Sequence, residues 1–175
     1  LKEITSRIDS SNDCQIFSDV KPDPPLKNIM EGLKQFNDFK PEVMIGMGGG
    51  SAIDTAKAIR FFGEKVNKYN IKEFVAIPTT SGTGSEVTNT SVVSDTDAHR
   101  KFPIIEDYLT PDIAVLDPKL VISAPKSVTA FSGLDVLTHC LESLVAKDAT
   151  IFTDALAEKG VDVIFHYLVQ ADKHG

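Results

Sequence analysis

The chain has 175 residues, a formal charge of -7 and 42% hydrophobic residues, which suits one domain with a core, or one domain and part of another, and does not suit a disordered tail. Its 18 basic residues are scattered, and the isoelectric point is near 5.0, so clustered phosphate binding and a nucleic-acid partner are not expected. No run approaches the roughly 18 to 20 continuous apolar residues of a membrane span, and Cys14 and Cys140 form no CxxC pair, so neither a disulfide framework nor a cysteine zinc site is indicated and a reducing cytoplasm is expected.

The opening LKEITSRIDS lacks the apolar core of a signal peptide and begins without Met, as a fragment or processed chain would. CQIFSDV (14–20) is β-prone and predicts a short strand ending at KPDPP, with Pro25 in the first turn of a helix from Leu26 to Phe39. Leu26, Ile29, Met30, Leu33 and Phe36 repeat at three-and-four spacing, one face for packing on a sheet. EVMIGMGGGS (42–51) is an apolar run entering a glycine cluster, and AIDTAKAIRFF continues with Ala52, Ile53, Ala56, Ile59 and Phe62 at helical spacing. FVAIPTTSGTGSEV (74–87) is a second buried-type strand breaking into a loop of hydroxyl residues and glycines. TSVVSD and KFPII flank the polar TDAHR and predict a hairpin or two edge strands, and DIAVLDP (112–118) predicts a strand stopped by Pro118. From Ser127 the β signal disappears. SVTAFSGLDVLTHCLESLVA and TIFTDALAEKGVDVIFHYLV are long helical patterns separated by KDA, which predicts an antiparallel pair.

This order gives an α/β class: a Rossmann-like, mostly parallel sheet over residues 1–122, then the first helices of an all-helical domain over 123–175.

Two loops carry chemistry. Gly48, Gly49 and Gly50 follow a strand and open a helix, where backbone N–H groups and the positive end of the helix converge and no Cβ obstructs a pyrophosphate. The loop is neither GxGxxG nor a P-loop, and alone it is about as well explained as a tight turn. Thr79, Thr80, Ser81, Thr83 and Ser85 around Gly82 and Gly84 form a second loop at the carboxyl end of the next strand, where open α/β sheets bind ligands. A cofactor with phosphates and riboses would use both.

Asp135 and His139 are four positions apart in SGLDVLTHC, so both project from one helical face and can reach one ion at about 2.0–2.2 Å. For an isolated pair of this kind an intrahelical hydrogen bond or salt link is the commoner explanation. His99 lies in a polar turn, His166 reads as a packed or half-exposed helix histidine and His174 lies in a charged terminus, so none is well placed to complete a metal set.

GMGGGSAIDTAKAI, AIPTTSGTGSEVT, PDIAVLDPKL and TAFSGLDVLTHCLESL follow in the order and rough spacing of the iron-dependent (group III) alcohol dehydrogenases, which the chain resembles from residue 41 to 145 and beyond. Within that family it looks closest to the alcohol and propanol dehydrogenases of diol and ethanolamine degradation. The resemblance implies that Gly49, Gly50 and Ser51 hold the pyrophosphate of NAD or NADP, that Thr79, Thr80 and Thr83 line its phosphate and nicotinamide side, and that Lys101 approaches the nicotinamide ribose. Asp23 falls where the family usually has an Asn near the adenosine. Asp135 and His139 match the first two metal ligands; two further histidines would come from a later segment, and the family's first strand would lie before Leu1.

In such an enzyme a divalent metal held by one carboxylate and three imidazoles lowers the pKa of an alcohol oxygen, and hydride passes between the carbinol carbon and the nicotinamide. The donor set suits Fe(II) and also Zn. The resemblance therefore implies an oxidoreductase acting on a small-molecule alcohol or aldehyde; no membrane partner is expected from the apolar runs, an uncovered apolar face on the last two helices predicts a homo-oligomer, and this stretch alone is expected to be inactive. The alternatives are a metal-dependent polyol dehydrogenase, a dehydroquinate-synthase-like enzyme, or a non-catalytic nucleotide-binding fragment.

Overall fold

The structure, a computed structural model, describes residues 5, 6, 10–67 and 69–174, without the side chains of Asn67 and His174. The expectations that involve Leu1 and the His174 side chain therefore lie outside the described residues.

Helix α1 (Leu26–Phe39) forms where the spacing predicts it, burying Ile29, Leu33 and Phe36. Pro25 is its N-cap, in extended conformation just outside the first turn, and Lys40 ends it at φ 51°, its N–H donating to the Phe36 carbonyl at 2.8 Å. Strand β1 (Val43–Gly48) leads into α2 (Gly50–Asn67), and β2 (Glu73–Pro78) returns parallel to β1, with Val43 opposite Glu73 and Gly48 opposite Pro78. Strands β3 (Thr90–Asp95) and β4 (Arg100–Ile105) form the antiparallel hairpin, and β5 (Ile113–Ala114) joins the far edge of β2 in parallel, giving the order β1-β2-β5. The core lies between these layers, around Ile29, Phe36, Ile59, Phe74, Val93 and Leu109.

After residue 118 the chain is helical: a short 3-10 turn (Pro118–Leu120), then α3 (Lys126–Leu144) and α4 (Ile151–His174). They run antiparallel, since Lys126 at the start of α3 donates to the Lys173 carbonyl near the end of α4, and Gly133 and Cys140 of α3 pack on Leu168 and Gly160 of α4. No described helix is long and apolar enough to cross a membrane.

Two expectations change. Residues 14–20 form no strand; they run as a strap without regular secondary structure, held where Asn28 Nδ2 donates to the Asp19 carbonyl at 2.6 Å. A groove of about 680 Å³ is lined by this stretch and by β1, and the described strand pairs do not include the stretch. The strand expected over 112–118 is only two residues long. Phe74 N–H donates to the Asp112 carboxylate at 2.8 Å, so a side chain takes one end of the pairing, and Asp117 caps the following 3-10 turn through the Lys119 N–H.

Candidate cofactor and metal site

The two loops predicted from sequence meet. Gly48 has φ 144°, a backbone conformation that favours glycine and lets β1 turn directly into α2. Gly49 caps α2 by accepting from the Ala52 and Ile53 N–H groups, and in the first turn the N–H groups of Gly50 and Ser51 have no intrahelical acceptor. Thr79 N–H donates to the Gly48 carbonyl at 2.9 Å, tying the second loop to the first. The approach is close: a Cβ on Gly50 would sit 2.6 Å from Thr83 Cγ2, and one on Gly82 would sit 2.6 Å from Ser132 Cβ on α3.

A cleft of about 620 Å³ opens where these pieces converge, bordered by Gly49–Ser51, Thr80 and Thr83, by Val20–Pro22 at the end of the strap and just after it, and by Val128, Phe131 and Asp135 of α3. It joins the glycine loop, the threonine loop and one of the two expected metal ligands. Its chemistry fits a phosphate-bearing cofactor: free helix N-terminal donors and threonine hydroxyls on one wall, apolar side chains on the other.

Asp23 and Lys101, separated by 78 positions in sequence, form an ion pair at 2.8 Å on the surface. The Asp23 backbone N–H donates to Ser51 Oγ at 3.3 Å, which sets this pair beside the glycine loop. Asp23 has φ 51°, a left-handed conformation that Asp and Asn tolerate better than most residues, so the replacement of an Asn keeps the turn. Thr79, Asp23, Lys101 and His139 do not border the cleft itself.

On α3, His139 Nε2 stands 3.7 Å from Asp135 Oδ1 with both side chains about half exposed. Two donors that far apart, each about 2.1 Å from one ion, subtend roughly 120° there. The pair fits a shared metal ion. Among the described residues no group of three or more His, Cys, Asp or Glu side chains gathers around one point. His99 sits in the β3–β4 turn at φ 48°, and His166 faces Asp162 on α4 at 4.0 Å.

Sequence reading passed over Asp54 and Lys57. Lys57 is fully buried, and its ammonium donates to the carbonyls of Ser85 (2.5 Å), Thr88 (2.6 Å) and Thr90 (3.0 Å) and to the Thr88 hydroxyl (3.2 Å). One turn earlier, the Asp54 carboxylate accepts from Ser85 Oγ at 2.6 Å and from Val92 N–H at 3.0 Å, while Ser91 Oγ donates to the Asp54 carbonyl. Burial pulls the Lys57 pKa down to about 8 against the opposing pull of Asp54 and Glu86, and burial raises that of Asp54. The available signal was that Lys57 falls four residues after Ile53, on the apolar stripe of α2, where a charge is unexpected without partners.

The sequence and fold have close counterparts. The profile of iron-containing alcohol dehydrogenases matches residues 1–118, and that of the Fe-containing alcohol dehydrogenase family, C-terminal, matches residues 129–175. The chain is 47% identical to the 1-propanol dehydrogenase PduQ of Citrobacter freundii, over all of this chain and 47% of that protein. Among solved structures it resembles a sulfoacetaldehyde reductase from Bifidobacterium kashiwanohense in complex with NAD+, with a TM-score of 0.86 and 31% identity over 92% of this chain and 46% of that one. It also resembles an iron-containing alcohol dehydrogenase from Thermococcus thioreducens, with a TM-score of 0.81 and 33% identity over 89% and 46%. The chain spans about half the length of the curated propanol dehydrogenases it matches.

Proposed function

This chain belongs to the iron-containing alcohol dehydrogenase family, and from that premise we propose that it forms the cofactor-side half of an enzyme that interconverts primary alcohols and aldehydes with NAD or NADP. The observation that carries this reading is the cleft in which Gly49–Ser51, Thr80 and Thr83 face Asp135 across one opening. Residues 1–122 would be the dinucleotide-binding part and residues 123–175 the start of the metal-binding part.

Gly49, Gly50 and Ser51 bind the pyrophosphate through first-turn N–H groups and the positive end of α2. Thr79, Thr80 and Thr83 orient the phosphate and nicotinamide side, Lys101 approaches the nicotinamide ribose, and Asp23, its ion-pair partner, takes the position of the family's Asn near the adenosine. Val128 and Phe131 give the cleft an apolar lining on the α3 side. Asp135 and His139 hold a divalent ion, Fe(II) or Zn. When bound there, the nicotinamide would supply a hydride acceptor and the metal a Lewis acid for the alcohol oxygen. The NAD+ complex of the sulfoacetaldehyde reductase supports NAD as the cofactor, and the identity to propanol dehydrogenase supports a short primary alcohol as substrate. A homo-oligomer in the cytoplasm is the expected setting.

The test is a titration of the full natural chain with NADH by fluorescence, then a panel of primary alcohols with Fe(II) or Zn supplied. Saturable dinucleotide binding with metal-dependent NADH formation is expected. Absence of dinucleotide binding would refute the proposal.

A further inference from the structure

We propose that Lys57, oriented by Asp54, is a positioning residue that holds the threonine loop against the glycine loop, and so sets cofactor affinity without touching the cofactor. This rests on the cofactor reading above. Lys57 and the cofactor loop share α2: Gly50 and Ser51 are its first turn, and Lys57 lies about two turns further in. From there the ammonium collects the carbonyls of Ser85, Thr88 and Thr90, all in the segment that continues the threonine loop. Asp54 takes Ser85 Oγ and Val92 N–H from the same segment. The loop therefore leaves β2 tied at Thr79 and arrives at β3 tied at 85–92, with Thr80 and Thr83 spanning the interval above Gly49 and Gly50.

An ammonium can direct three protons at those oxygens; a neutral amine has two and one lone pair. The charged groups acting on Lys57 are Asp54 from its own helix and Glu86 from the 3-10 turn (Ser85–Val87), while β3 offers it the neutral Thr90 carbonyl. With a pKa near 8, the staple loosens as pH rises through that value. A core cation without this role is available for comparison: Arg60, also on α2, pairs with Glu64 at 3.1 Å and lies over Phe74 and Tyr108, away from both loops.

The experiment measures NADH dissociation constants in the full natural chain from pH 6.5 to 9.5, with melting temperatures alongside. The wild-type constant is expected to hold steady to about pH 7 and to rise severalfold through pH 8–9. Asp54→Asn should move that rise to lower pH, because the carboxylate supports the charged Lys57. Lys57→Met should weaken binding about tenfold at pH 7 and flatten the profile. Arg60→Met should lower the melting temperature yet leave NADH affinity within about twofold. If Lys57→Met does not fold, the wild-type and Asp54→Asn profiles decide alone. A flat wild-type profile, an Asp54→Asn profile superimposable on it, or wild-type affinity in Lys57→Met would overturn the inference. Failure of the wild type to bind NADH at any pH is a separate result that overturns the cofactor reading, and this inference with it.

Discussion

Asp135 and His139 stand one turn apart on α3 with their donor atoms 3.7 Å from each other, and of the two only Asp135 borders the cleft enclosed by the cofactor loops. A carboxylate and an imidazole satisfy at most half of a four-coordinate ion. No third donor gathers with them among the described residues. The 175-residue chain is therefore expected to lose Fe or Zn on gel filtration, and one tightly bound metal per chain, measured by mass spectrometry of the eluate, would contradict this. In the full natural chain, Asp135→Ala or His139→Ala should strip the metal and lower turnover by on the order of 100-fold.

The glycine and threonine loops are fitted at Gly50 and Thr83. In Gly50→Ala the new methyl would approach Thr83 Cγ2 at 2.6 Å and Oγ1 at 2.9 Å, so one loop must retreat. Overpacking of this kind costs about 1–3 kcal/mol. NADH affinity in the full natural chain should fall roughly 10-fold, and Thr83→Ala in the Gly50→Ala background should recover part of the loss. Equal affinity of Gly50→Ala and wild type by fluorescence titration would show that the loops have room to give.

Periodicity made most of this fold legible. The bounds of α1 follow from Leu26, Ile29, Leu33 and Phe36, because an amphipathic stripe between prolines and a left-handed Lys40 leaves little choice. The loops were legible because glycine clusters after apolar runs mark strand ends. The strap at 14–20 differs from the expectation because β propensity reports fit to a half-buried surface, not the presence of a pairing partner, and among the described strands none pairs with this stretch. The meeting of Asp23 with Lys101, and of Lys57 with Ser85, Thr88 and Thr90, was hidden for another reason: each joins positions distant in sequence, and only the tertiary path brings them together.

The helical end of the chain carries apolar side chains in water. Val145, Ile151, Phe152, Leu156 and Phe165 on and between α3 and α4 are each more than 70% exposed. Isolated apolar residues on a surface are ordinary, but this density on two adjacent helices promotes association. The 175-residue chain is expected to scatter light as a species larger than 19.0 kDa, and the double variant Phe152→Ser with Leu156→Ser should shift it toward monomer. A monodisperse wild-type monomer would show that these faces tolerate solvent.

Lys57 should make stability and cofactor affinity respond to pH in opposite directions. Its pKa is about 8 in the fold against 10.5 for the free side chain, so between those values the unfolded chain binds the additional proton. The free energy of unfolding therefore rises with pH across that window, as the burial penalty on the charged form is relieved. Asp54 acts at the other end of the scale: its raised pKa means the folded state binds the extra proton, and its share of stability grows as pH falls toward the carboxylate range. Surface lysines such as Lys65 and Lys72, whose pKa values are raised by Glu106 and Glu42, oppose the Lys57 trend, but equally in wild type and variant. The informative quantity is thus the difference in urea midpoint between wild type and Lys57→Met, which should increase from pH 8 to pH 10. A difference that stays level or declines would mean that Lys57 keeps its proton throughout, and the weakening of NADH binding above pH 8 would then need another group.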